Sequence, residues 1–199
     1  MLNYCVLAEE FKAVENENVF RQRYKTVSEG IKTLEADFVQ EKEITLLTNK
    51  LSSTGQMLFR NDNCLKIEYF KPNAFIFAMR NGKITIKDGE RAASSMIVKN
   101  NRLFEQISQI TIYAINGKIF DSKDFGSTIL ENESSYLIVL VPKSKELKKY
   151  YKKFDLYINK VTFIIEKTIM KETSGDETVM YFENIRTNNT ITDEAFLVD

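Results

Sequence analysis

The side chains able to do covalent or acid–base chemistry are present but lack the partners that such chemistry needs. Ser94-Ser95 and Ser134-Ser135 offer hydroxyl nucleophiles, yet the chain has no histidine to activate them, and Cys64 lacks the same base. The absence of histidine also removes the commonest general base near neutral pH and the commonest metal ligand. Asp37, Glu41 and Glu43 fall on a strand-like run without any pairing that the sequence establishes. Asp88-Gly89-Glu90 and Ser174-Gly175-Asp176 read as turns, too poor in ordered oxygen ligands for calcium, and no phosphate-binding loop occurs. The expectation is no catalytic residue, no metal and no cofactor. What remains is binding chemistry. Lys143, Lys145, Lys148, Lys149, Lys152 and Lys153 surround Leu147, Tyr150 and Phe154, as in a short surface helix or a solvated turn. Lys145, Lys148 and Lys149 are the candidates for docking, against an acidic protein surface or anionic lipid headgroups, with an ordinary solvated face as the competing reading.

Composition narrows the partner class. The 28 basic and 28 acidic residues cancel, so no overall field gathers nucleic acid, and no nucleic-acid motif is present. Apolar residues make up 43% and aromatics 12%, with 14 Phe and 9 Tyr, which excludes disorder and favours strands. The 199 residues contain no Pro-, Gly- or Ser-rich linker and no internal repeat, so residues 9–199 are expected to form one domain, as a monomer. Residues 1–8 read either as the stump of a signal peptide, with Val6-Leu7-Ala8 spaced like a cleavage site, or as a frayed terminal strand. Cys5 and Cys64 are too few and too distant to define a disulfide framework. No apolar run approaches the roughly 20 residues needed to cross a bilayer as a helix.

The elements that must position any binding surface follow from periodicity. Phe20, Tyr24, Val27, Ile31 and Leu34 recur at spacings of four and three, predicting a helix through that segment. From Ala36 the pattern changes to short runs: Ala36–Leu47, Ser52–Arg60, Cys64–Phe70, Asn73–Arg80, Lys83–Lys87 and Arg91–Val98. Asn61-Asp62, Asn81-Gly82 and Asp88-Gly89 separate successive runs, as hairpin loops do. Asn100 or Asn101 can cap a second helix with Leu103, Ile107, Ile110 and Ala114 on one face, ending at Asn116-Gly117. Strands resume at Gly126–Glu131 and Tyr136–Val141, and then at Phe154–Ile158, Val161–Lys171 and Thr178–Arg186. The fold class is mainly β with two helices (α+β), an antiparallel meander of about eleven strands.

Leu65, Ile67 and Tyr69 alternate with Lys66 and Glu68, and Ile84 and Ile86 alternate with Lys83, Thr85 and Lys87, so these strands have one dry face. A long antiparallel sheet curls, and its concave side either packs solid or encloses a cavity. The candidate cavity wall is Phe38, Phe59, Leu65, Ile67, Tyr69, Phe75, Phe77, Met79, Ile84 and Ile86, roofed by Leu103, Ile107 and Ile110. Bulky aromatics and flexible Met suit a surface that repacks around variable ligands, while a plain core would use the same residue types.

Several segments together resemble one family. Asp37-Phe38-Val39-Gln40 after an amphipathic helix, Ser53-Thr54-Gly55-Gln56-Met57-Leu58-Phe59, Leu65-Lys66-Ile67-Glu68-Tyr69 with Pro72, and Asn81-Gly82-Lys83 are similar in order and spacing to LolA-type outer-membrane lipoprotein carriers. Leu140-Val141-Pro142-Lys143, Gly175-Asp176-Glu177-Thr178, Phe182-Glu183-Asn184-Ile185, Asn189 and Phe196 extend the likeness more loosely, so that it runs from about Ser28 to Phe196. The resemblance implies an unclosed, strongly curved antiparallel β-barrel with a helical lid over an apolar cavity. It also implies a periplasmic chaperone, carrying acylated lipoproteins from an inner-membrane release transporter to an outer-membrane acceptor. Another lipid or apolar small molecule is the alternative cargo for the same fold. In such carriers a basic-Arg-Pro turn latches the lid through hydrogen bonds to helix carbonyls. Here the turn reads Arg60-Asn61-Asp62-Asn63, and Ile67 stands where a Trp is expected. Asn61 thus occupies the latch position without a guanidinium, and Arg60 or Lys66 is the candidate substitute.

Overall fold

The computed structural model describes residues 10–91, 94–97 (backbone only) and 110–198. The segment 1–8, Cys5, Leu103, Ile107 and the start of the second helix lie outside the described residues.

The first helix, α1 (Glu17–Glu29), begins where Asn16 accepts the backbone N–H of Val19 at 3.1 Å, with Glu17 in the first turn favouring the positive end of the helix. Phe20, Tyr24 and Ser28, four residues apart, form its buried stripe. The apolar spacing predicted a helix reaching Leu34, but α1 stops at Gly30. From Leu34 the same residues satisfy a period of two, and pairing on both sides offers their backbone a complete set of partners.

Leu34 lies in the long strand β2 (Thr33–Glu43), after the two-residue β1 (Lys12–Ala13) that the sequence did not announce. The meander continues as β3 (Leu51–Arg60), β4 (Cys64–Lys71), β5 (Phe75–Arg80), β6 (Lys83–Asp88) and β7 (Ser94–Ile97). Its turns take the left-handed backbone at Asn63, Asn81, Gly82 and Gly89, where Asn and Gly carry the smallest steric cost. A second helix, α2, is described over 110–115, followed by a 3-10 turn at Lys118–Asp121. Then come β8 (Phe125–Glu131), β9 (Ser135–Pro142), the one-turn helix α3 (Lys145–Lys148), β10 (Tyr151–Asn159), β11 (Ile165–Glu172) and β12 (Glu177–Thr187). A 3-10 turn at Asp193–Phe196 closes the chain.

β11 starts later than the predicted Val161, because the Asn159 side chain accepts the N–H groups of Val161 and Thr162 at 2.8 and 3.0 Å and winds 160–164 into a loop. That loop exposes Val161 and drives Phe163 into the core. Pro142, expected to lie beyond β9, is the last residue of that strand and is fully buried.

All strands join one antiparallel sheet in the order β1-β8-β9-β10-β11-β12-β2-β3-β4-β5-β6-β7. β12 and β2 bring the two ends of the chain together at its centre. Among the described residues β1 and β7 are not paired to each other, so the barrel is unclosed, with α1 and α2 on its concave side. Gly55 permits the tight curl: a side chain there would come within 2.5 Å of the Phe38 ring and collide with the Glu68 carbonyl.

The interior divides into two packed clusters. One gathers Phe20 and Tyr24 of α1 with Ile138, Leu140, Phe154, Leu156 and Phe163. The other gathers Leu34, Phe38, Phe59, Leu65, Met79 and Ile84 along β2–β6. α2 serves both, Ile110 and Ala114 entering the first and Ile112 and Ile115 the second. Gly117, in the left-handed region, ends α2 so close to α1 that an added side chain would lie 2.9 Å from Ser28.

Candidate functional site

Between the two clusters lies an apolar cavity of about 250 Å³. Its roof is Tyr24 and Ser28 of α1 with Ile110, Thr111, Ala114 and Ile115 of α2. Its floor runs across Leu156, Met170, Met180, Phe182, Met57 and Ile67, with Ala36 among them. Space exists here because small or shape-variable side chains face one another: Ala36, Ala114, Ser28, Thr168 and Thr178 occupy positions where large residues would close the gap.

The polar groups of the wall are few and mostly answered. Tyr69 donates its hydroxyl to Gln40 Oε1 at 2.8 Å, and its ring packs edge-on against Phe38 at 5.0 Å. Tyr24 donates to the Ala114 carbonyl, joining α1 to α2. Burial pushes both phenols up from their ordinary pKa, so both remain donors. Thr178 Oγ1 is buried without a hydrogen-bond partner among the described residues.

Of the expected cavity wall, Ile67, Tyr69 and Ile110 line the cavity. Phe38, Phe59, Leu65, Phe77, Met79 and Ile84 are placed in the solid packing of β2–β6, and Phe75 and Ile86 lie partly buried against it. The tight curl of these strands brings their large side chains into mutual contact and leaves no room. Ten of the 25 lining residues come from β10–β12, which the sequence reading did not nominate. The signal available there was the run of small or polar inward residues, Thr168 and Thr178, interrupting an apolar alternation.

The expected latch residues turn away from the helices among the described residues. Arg60 donates to Asp62 at 2.9 and 2.8 Å, to the Ile191 carbonyl at 3.1 Å and to Asp193 at 2.6 Å, and its guanidinium lies 5.1 Å from the Phe196 ring centre. It therefore holds the C-terminal turn. Asn61 donates its backbone N–H to the Lys32 carbonyl, and Lys66 pairs with Glu68 at 3.2 Å on the outer face. Lys145 and Lys148 of α3 and Lys149 at its C-terminal cap are brought together and exposed, on a turn that Leu147 anchors in the core and Ser144 caps at its start. Cys64 is a buried free thiol whose pKa burial raises. Among the described residues no group of three or more His, Cys, Asp or Glu side chains is placed to hold a metal, and no helix is long and apolar enough to cross a membrane.

An open antiparallel half-barrel with an apolar hollow beneath two helices defines a class of binding protein suited to water-insoluble groups. The chain belongs to the LolA family: the family model of outer membrane lipoprotein carrier protein LolA matches residues 29–199. This is a binding and carrier family. Among solved structures, the chain is similar to an uncharacterized conserved protein from Thermus thermophilus (10% identity, TM-score 0.52, covering 88% of this chain and 91% of that one). It is also similar to MucB (11% identity, TM-score 0.51, 91% of this chain and 63% of that one). A LolA superfamily protein from Nitrosomonas europaea aligns at 15% identity with a TM-score of 0.46, over 89% of this chain and 97% of that one. At these identities the likeness is one of fold. No curated protein matches the chain by sequence.

Proposed function

We propose that the chain is a periplasmic carrier that takes the acyl chains of lipoproteins into the cavity between its sheet and helices, receiving them from an inner-membrane release transporter and passing them to an outer-membrane acceptor. The observation that carries this reading is the apolar cavity roofed by α1 and α2 in a chain of the LolA family. Each methylene moved from water into such a cavity gains about 0.8 kcal/mol, so affinity grows with the length of acyl chain that the cavity covers. No covalent step is required. The cavity wall of Ile67, Tyr69 and Ile110, with Met170, Met180 and Phe182, holds the chain, and the lid latch falls to Tyr24 on the Ala114 carbonyl.

Volume favours a second reading for part of the cargo range. At about 250 Å³ the cavity is larger than the ~150 Å³ that takes one benzene and smaller than the ~300–1,000 Å³ of typical ligand pockets. With the helices closed it admits part of one acyl chain, which suits a single-chain lipid as well as a lipoprotein anchor, and several chains require α1 and α2 to part.

Native mass spectrometry of the protein recovered from the periplasm distinguishes the readings. Co-purified acylated lipoprotein is the expected result and free lipid supports the second reading. A clean unliganded mass under several gentle conditions overturns both. Ala114→Phe, which fills the cavity, is expected to abolish the adduct in a folded protein.

A further inference from the structure

One end of the sheet carries an unusual pairing of exposed leucine and lysine. Six of the ten exposed large hydrophobic side chains among the described residues, Leu46, Leu47, Leu51, Phe70, Val141 and Tyr150, sit where β2, β4 and β9 finish and where β3 and β10 begin. In an antiparallel sheet these points share one rim. Leu46, at the tip of the loop after β2, is 93% exposed. A lone exposed leucine is ordinary, but this grouping at one end is not scattered.

The leucine tip and α3 are tied into one surface. Thr173 donates its N–H to the Tyr150 carbonyl and its hydroxyl to the Lys149 carbonyl, both at 2.9 Å. Three residues on, Asp176 accepts the N–H of Thr45 at 2.9 Å and its hydroxyl at 3.1 Å, and Thr45 leads directly into Leu46-Leu47. Three of the rim's carboxylates are engaged by lysines of the sheet and its loops, Glu172 by Lys42, Glu177 by Lys171 and Glu43 by Lys50, and Glu146 is the one acidic residue on α3 itself. Lys145, Lys148 and Lys149 enter none of these ion pairs and stand exposed beside the apolar tips.

We propose that this rim docks on the surface of an anionic bilayer, the leucine tip entering the headgroup–acyl boundary while the α3 lysines meet lipid phosphates. Apolar side chains raised on a loop suit shallow insertion, and lysines around them add attraction to anionic lipid. A protein partner fits less well, because protein interfaces deplete lysine and bury apolar groups in a continuous patch. The proposal is independent of the cargo in the cavity.

Co-sedimentation of the full chain with vesicles tests it, using phosphatidylglycerol–phosphatidylethanolamine vesicles against pure phosphatidylcholine. Binding to the anionic vesicles is expected, weakened about tenfold or more by Lys145→Gln with Lys148→Gln and Lys149→Gln. Leu46→Ser with Leu47→Ser should remove the part of binding that survives high salt. Val161→Ser, an 85% exposed position at the opposite end of the sheet, is expected to change nothing. Failure to bind anionic vesicles, or binding untouched by both sets of substitutions, overturns the proposal. So does binding confined to native inner-membrane vesicles and abolished by protease, which would place a protein on this face. All substituted side chains are exposed, so circular dichroism and thermal melting should match the parent.

Discussion

The phenol of Tyr24 in α1 donates its hydrogen to the backbone carbonyl of Ala114 in α2, and both residues line the cavity. This bond closes the roof from one helix to the other. Tyr24→Phe keeps the ring and leaves the Ala114 carbonyl without that donor, so the expected loss is about 1–3 kcal/mol in denaturant unfolding. Amide exchange over 110–115 should accelerate more than exchange in β2–β4. Unchanged exchange there would mean that apolar contacts alone hold the roof.

Arg60 and Arg80 both reach Asp193, and this pins a turn whose Phe196 is 2% exposed. Phe196→Ala should cost about 3 kcal/mol, the usual penalty for emptying a buried aromatic site. Arg60→Leu should leave the barrel folded but release the turn, and limited proteolysis should then cut within 188–198 first. If lid opening measured by exchange at 110–115 also changes in Arg60→Leu, the turn and the lid are coupled.

Thr178 carries a buried hydroxyl with no partner among the described residues. Thr178→Val keeps the shape and removes the desolvated polar atom, so stability should hold or rise by about 1 kcal/mol in chemical denaturation. A loss of more than that would show that the hydroxyl has a partner in solution, such as an ordered water.

Glu131 is held below the usual carboxylate range, first by Lys160, which donates to it at 2.6 Å, and then by the Glu15 backbone N–H. A depressed carboxylate contributes stability that is present above its unfolded pKa and lost as pH falls through its lower folded value. Melting temperature is therefore expected to drop below roughly pH 4, and Glu131→Gln should flatten that part of the profile while lowering stability at neutral pH. An acid profile unchanged in Glu131→Gln would assign the effect to other carboxylates, of which Asp62, lowered by Arg60, is the first candidate.

Much of the fold was legible because local rules and the global fold agree. Asn-Gly and Asp-Gly turns, strict alternation in Leu65-Lys66-Ile67-Glu68-Tyr69, and the spacing of Phe20, Tyr24 and Val27 each specify one answer from neighbouring residues alone. The lack of histidine likewise bounded the chemistry without any structure. What the sequence by itself determined was an antiparallel, two-helix carrier-like fold with one dry face per strand. Only tertiary structure decided where that dry face is hollow. Alternation tells which side chains point inward but not which of them meet. β2–β6 curl until Phe38 packs over Gly55 and against Tyr69, and Phe59, Leu65, Met79 and Ile84 fill one cluster, whereas β10–β12 oppose two helices through Ala114, Ser28 and Thr178, whose small side chains do not reach across. The hold of Arg60 on Asp193 was beyond local reading for the same reason, since Asp193 lies more than a hundred residues away and only the pairing of β12 with β2 brings that segment to it.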